Sequence, residues 1–279
     1  GCVVNYSCHA TTSPGGISAN WIYYMERMMQ GMLGPQVGVV FLQGFCGDVT
    51  QVDNRNPYRQ PTGTEYAELV GGRVGAEAAR VLLKTHAGSA APVAASARVM
   101  QIARRRPSSE RLQRAREIVQ RDRRSTDATE WTFAKETVML AAHLEKWPTI
   151  EVEVQTVQVG PVVAISAPGE MFCQLGLDLR AGSGFPLTFP VELANGSVGY
   201  VPTEEALSKT GGGYETRLTS YSNLEPAAGR KMVEVGIELA KRLKPGSFPE
   251  PPKAAPFTPD SSGIGSHPWS YGNVPPQLS

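Results

Sequence analysis

The chain has 279 residues, with 27 Lys+Arg against 26 Asp+Glu and a formal net charge of +1. So even a balance offers no concentrated cationic face, which argues against nucleic acid as the main partner. A hydrophobic content of 41% is enough for a real core, and no apolar run nears the roughly 20 residues that span a bilayer. Four cysteines in this length do not make a disulfide framework.

Gly1 to Cys8 is a short apolar run, β-branched at Val3 and Val4, and reads as a strand. From Ile17 to Leu33, Trp21, Tyr24, Met25, Met28 and Met32 recur at helical spacing, and Gly34-Pro35 stops the helix. Val37 to Leu42 is nearly continuous apolar sequence, as in a strand buried on both faces. Thr64 to Thr85 reads as a helix with Thr64 as its cap. Val93–Ala103 and Ile150–Val159 alternate as strands, and Val162–Ser166 follows across Gly160-Pro161 as a hairpin partner. Two helices lie between them, about Ser108–Arg123 and Thr129–Glu145, the first heavily basic. A helix at Met171–Arg180, a strand near Leu187–Leu193, a short strand at Val198–Val201 and a helix at Glu225–Leu243 complete the body. The pattern predicts an α/β fold, a mixed β-sheet flanked by helices, over residues 1–243. From Lys244 to Ser279 proline removes donors and fixes φ, so residues 244–279 form no helix or inner strand. They read as an extended arm laid over the body or a neighbouring subunit through Phe248, Phe257, Trp269 and Tyr271, or as a plain flexible tail.

Most chemistry-bearing residues have a bland reading that leads. The Met stripe of the first helix reads as core filling before it reads as an acyl pocket. Arg104–Arg106 and the arginines between Arg111 and Arg124 read as a solvated face with local pairs before a phosphate site. His86, His143 and His267 read as structural, and no HxH or HxxxH pair gives a local zinc motif. His9 differs, because it ends a strand and opens a small-residue turn, where α/β domains place functional groups. Asp48 and Thr50 sit in a Gly-rich turn after the Val37–Leu42 strand. Glu170 follows the Val162–Ser166 strand at a helix start, where it serves either a site or the helix dipole. Tyr214 and Tyr221 follow Gly211-Gly212-Gly213 and mark hydrogen-bonded packing or a site.

Together these segments resemble the neutral, non-lysosomal ceramidase family of zinc amidases. Asn5-Tyr6-Ser7-Cys8-His9-Ala10 is similar to the family's N-x-x-x-H-P, and Gly47-Asp48-Val49-Thr50 to its G-D-V-S-P-N. Pro168-Gly169-Glu170-Met171-Phe172 resembles its P-G-E-F-T. The stretch from Asn195 to Glu205 resembles N-x4-Y-x-x-T-x-E-E, one residue shorter before the glutamates, and Tyr214-Glu215 with Tyr221 keeps the Y-E-x5-Y spacing. The departures are Thr50-Gln51-Val52 for S-P-N, Ala10 for the proline, and no room for the family's C-terminal immunoglobulin-like domain. The family's first zinc histidine lies upstream of anything in this chain. The resemblance therefore implies the C-terminal part of a ceramidase-like domain, its N-terminal part absent or on a companion chain.

The resemblance implies zinc as cofactor, held by His9, Glu170 and Tyr214 plus a histidine from outside this chain. It implies hydrolysis of a small-molecule amide (an N-acyl amine or peptide-like substrate) by activated water. Thr50 then orients substrate or water, with Asp48 and Tyr221 as the other catalytic candidates. An extracellular or periplasmic location follows from the same resemblance, the cytoplasm being left open, and the Pro-rich arm suits a homo-oligomer. Two rival readings stand beside it. Processing that exposes Cys2 would create an N-terminal nucleophile, and a degraded metal site would leave a non-catalytic binding protein.

Overall fold

A computed structural model describes residues 1–251 apart from 59, 87, 89 and 125. The chain divides into two units, Gly1–Thr85 with Ala90–Ser247, and His86–Ser89 with Phe248–Ser279. The second lies mostly beyond the described residues, and so does most of the predicted Pro-rich arm.

The first unit is mixed α/β, as its alternating patterns predict. It begins with β1 (Cys2–Tyr6), α1 (Asn20–Leu33), β2 (Val39–Gln43) and α2 (Gly63–Leu82). β1 and β2 pair in parallel, Cys2 opposite Val39 and Tyr6 opposite Gln43. α1 lays Trp21, Met25 and Met29 against this pair and α2, in a cluster with Cys8 and Ala67. The helices approach closely because a Cβ at Gly71 or Gly75 of α2 would strike the Trp21 or Met25 carbonyl of α1. The Met stripe is thus divided: Met25 and Met29 fill core, while Met28 and Met32 stay exposed.

Two early expectations are corrected here. β2 is not buried on both faces: Val40 is 55% exposed, because the two-stranded pair has helices on one side. Thr64 is not the cap of α2, since the helix begins at Gly63, after Thr62 in extended conformation.

The larger sheet orders β3 (Val93–Ala103), β4 (Thr149–Val159), β5 (Val162–Ser166) and β7 (Leu187–Val191). Its first three strands are antiparallel and β5 pairs with β7 in parallel. A two-residue pair joins β6 (Glu170–Met171) to β8 (Tyr200–Val201). α5 (Cys173–Gly182) and α6 (Ala228–Lys241) cover one face of the larger sheet, with Val154, Val163, Ile165, Leu179, Met232 and Leu239 in the core between them. The basic helix α3 (Ser109–Val119) pairs with α4 (Ala128–Lys146) through Ala115, Ile118 and Ala134.

Asn5 of β1 joins the two sheets. Its side-chain amide donates to the carbonyls of Leu42 in β2 and Pro190 in β7, at 3.1 and 2.9 Å. The motif-bearing turns after β1, β2, β5 and β7 therefore meet at the C-terminal ends of two parallel pairs, where open α/β sheets place their sites.

Candidate active site

Each turn there holds its side chain through backbone bonds from another turn. The His9 amide donates to the Val49 carbonyl at 3.1 Å, and the His9 carbonyl accepts the Trp21 indole N–H at 3.0 Å. Gly47 donates to the Met171 carbonyl at 2.8 Å, and a side chain at Gly47 would collide with the Glu170 carbonyl. Glycine is therefore needed where the β2 turn crosses under Glu170.

These constraints bring His9 and Glu170 together. His9 Nε2 lies 3.5 Å from Glu170 Oε2, with the two side chains 20% and 27% exposed. Two ligands at the usual Zn–N and Zn–O lengths of about 2.0–2.2 Å, at a tetrahedral angle, stand about 3.4 Å apart. The opening between this nitrogen and this oxygen thus has the width of a shared ion rather than of a hydrogen bond.

Behind His9 is a buried polar cluster. His9 Nδ1 is 3.0 Å from Cys46 Sγ, the thiol lies 3.0 Å from Glu192 Oε1, and Gln43 Nε2 donates to the sulfur at 3.1 Å. Glu192, 3% exposed, also accepts the backbone N–H of Cys46 and of Met171 on Oε2, both at 3.0 Å. Burial pushes the Glu192 carboxyl up to about 7, against the downward pull of its bonds from Cys46 and Met171. Burial first, and the neighbouring Glu192 second, push the Cys46 thiol far above its ordinary range, so it keeps its proton.

On the other side of Glu170 are phenols. Tyr200 and Tyr214 bond hydroxyl to hydroxyl at 2.7 Å, their rings edge to face at 5.6 Å, and the Tyr221 ring stands 6.5 Å from that of Tyr200. Burial, then the bond to Tyr214, then the nearby Glu170 carboxylate raise the Tyr200 phenol far above its usual range. Tyr214 is half exposed, and Tyr200 is the phenol that reaches between it and Glu170.

Of the remaining expected residues, Asp48 is engaged structurally: its Oδ1 accepts the Cys173 N–H at 2.6 Å, capping the first turn of α5. The Thr50 hydroxyl donates to Gln51 Oε1 at 3.3 Å on an exposed turn. Cys2 lies at the opposite end of β1 from His9. Cys46, Glu192 and Tyr200 were not singled out from sequence. Tyr200 holds the tyrosine place of the N-x4-Y stretch, whereas Cys46 and Glu192 had only their place beside strand ends as a local signal, since they meet across 146 residues.

In architecture the chain is similar to part of the ceramidase fold. The chain superposes on the crystal structure of neutral ceramidase from Pseudomonas aeruginosa with a TM-score of 0.62 at 15% identity, covering 89% of this chain and 46% of that one. It also superposes on a ceramidase complexed with C2, with a TM-score of 0.59 at 14% identity and the same 89% coverage. The chain spans less than half the length of these neighbours. No protein-family model matches the sequence. No curated protein matches it either.

Proposed function

We propose that this chain carries the C-terminal part of a zinc-dependent amidohydrolase that cleaves a linear amide, an N-acyl amine or peptide-like substrate. The observation that carries the reading is the 3.5 Å opening between His9 Nε2 and Glu170 Oε2. An imidazole and a carboxylate suit zinc, and that spacing suits two of its ligands. His9 and Glu170 would hold the ion, Tyr214 would add a phenol, and a histidine outside this chain, on a companion chain or a further segment, would complete the set. When bound, zinc supplies Lewis-acid polarisation of the carbonyl and lowers the pKa of water from about 15.7 to about 7.

The chain's own groups set the geometry of the attack. One of the two phenolic protons of the Tyr200–Tyr214 pair is spent in the bond between the hydroxyls, which leaves one able to donate to the oxyanion that would form from the amide carbonyl while Tyr214 is not on the metal. One such donor contributes about 2.7–4 kcal/mol to the barrier reduction. In the Gly47–Thr50 turn, the amides of Gly47 and Val49 are committed to the Met171 and Cys46 carbonyls. Thr50 and Tyr221 are left as further hydroxyl donors, Asp48 being an acceptor already engaged by the Cys173 N–H, and Thr50 orients substrate or water. The products are a carboxylic acid and an amine. In this reading residues 1–243 form the hydrolase part.

The test combines metal analysis with a panel of N-acyl amines and N-acyl amino acids, assayed with zinc and after chelation. Glu170→Ala should weaken zinc at least 100-fold, and chelation should abolish hydrolysis. Full zinc occupancy in Glu170→Ala sinks the assignment. Hydrolysis that survives complete zinc removal, or is lost in Cys2→Ala alone, transfers the chemistry to a covalent nucleophile.

A further inference from the structure

The cluster behind His9 joins three groups able to ligate a metal, His9, Cys46 and Glu192, whose ligating atoms all lie within 4.8 Å of one another. Its spacings are those of hydrogen bonds. Zinc with N or O at about 2.0–2.2 Å and S at about 2.3 Å would hold its nitrogen or oxygen about 3.5 Å from the sulfur. The observed separations are 3.0 Å from Cys46 Sγ to His9 Nδ1 and 3.0 Å to Glu192 Oε1. The two nitrogens of His9 thus face different surroundings, a ligand-width opening at Nε2 and a packed hydrogen-bond chain at Nδ1.

The proton positions follow from counting donors. In the ionised Glu192, Oε2 takes two backbone N–H groups and Oε1 takes the Cys46 thiol proton. The sulfur has then spent its only hydrogen and accepts from Gln43 Nε2. At 3.0 Å from that sulfur, His9 Nδ1 must carry a hydrogen, or two lone pairs would face each other. A proton on Nδ1 of a neutral imidazole leaves the lone pair on Nε2, toward Glu170.

We propose that Cys46, anchored by Glu192 and Gln43, is the positioning residue of His9, accepting the Nδ1–H so that Nε2 is presented as a metal-binding lone pair. The thiol fills the place usually taken by a carboxylate or carbonyl behind a ligating histidine. The claim rests on the zinc reading for its consequence, while its tautomer content rests on the hydrogen-bond geometry with Glu192 ionised, the state present at pH 8.

Two measurements at pH 8 test it. The first is long-range 1H–15N correlation of the histidine side chains in the metal-free protein, with His9 assigned by its loss in His9→Ala. It should show His9 as the Nδ1–H tautomer. An Nε2–H tautomer overturns the proposal, even if the protein never binds zinc and the hydrolase reading fails. The second is zinc affinity by chelator competition. Cys46→Ala should weaken binding about 10–100-fold, and Cys46→Ser, whose hydroxyl can bond both neighbours, should restore it to within a few-fold of wild type. Unchanged affinity in Cys46→Ala overturns the proposal. So does a thiolate-to-metal charge-transfer band in the Co(II)-substituted wild type, which would make Cys46 a direct ligand.

Discussion

Glu192 is the residue on which most of the site's internal order depends. It binds two backbone amides and one thiol from turns that meet nowhere else in sequence. Its carboxyl is nevertheless raised to about 7, from an ordinary value of 4.5, because desolvation outweighs those bonds. The folded metal-free protein therefore holds a proton there up to about pH 7, whereas the unfolded chain gives it up near pH 4.5. A raised carboxyl pKa means the folded state binds more protons across that window, so stability falls as pH rises through it. The shift corresponds to roughly 3 kcal/mol. Urea midpoints of wild type and Glu192→Gln, followed from pH 4 to 8 without metal, should move against the wild type as pH rises. A pH-independent difference would show that the carboxyl is not raised. The sequence gives Glu192 no mark: it ends an apolar strand, and its partners are far away along the chain. His9 and Glu170 were legible because each follows a strand at a turn of small residues. Cys46 was not, because a cysteine beside glycine has an ordinary packing reading, while Tyr200 stood as the tyrosine of the N-x4-Y stretch with no role assigned to it.

At the scale of elements, the junction between the β2 turn and α5 decides what Asp48 does. α5 begins at Cys173 with no side-chain cap from Phe172, and Asp48 supplies one from across the fold at 2.6 Å. A carboxylate at a helix N-terminus satisfies an orphan amide and favours the dipole. Asp48→Ala should cost about 0.5–2 kcal/mol, read as a lower urea midpoint, and Asp48→Asn, which keeps an acceptor oxygen, much less. If Asp48→Asn preserves stability but lowers amide hydrolysis more than 100-fold, Asp48 acts in the chemistry as well as in the cap. Periodicity predicted nearly every element. The ends moved by a few residues, as at α1, which starts at Asn20 rather than Ile17, and at the last helix, which starts at Ala228 rather than Glu225. Pairing was less legible. Sequence showed that Val37–Leu42 was a strand, but not that among the described residues it pairs with β1 alone, which is why Val40 lies exposed.

For the whole molecule, the two proposed ligands belong to different sheets. His9 follows β1 of the small parallel pair, while Glu170 follows β5 of the larger sheet and lies in β6. What joins these parts near the site is Phe45, which is buried in the core of the larger sheet, together with a set of polar bonds: the Asn5 amide to Leu42 and Pro190, the Gly47 amide to Met171, the Cys173 amide to Asp48, the Glu192 amide to Gln43 at 3.0 Å, and the Glu192 carboxylate to Cys46. An ion bound by both ligands would bind the assembled state and not the separated sheets, so its binding energy would add to their joint stability. At free zinc 100 times Kd the gain is about 2.7 kcal/mol, or roughly 5–11 °C in Tm at about 2–4 °C per kcal/mol. Zinc should therefore raise Tm by that amount and slow hydrogen exchange at the Cys46, Gly47 and Glu192 amides, which bridge the two parts. Glu170→Ala, keeping the polar bonds but lacking one ligand, should show neither effect at the same zinc concentration. An equal rise in Tm in wild type and Glu170→Ala would mean that zinc binds elsewhere and adds nothing to the junction.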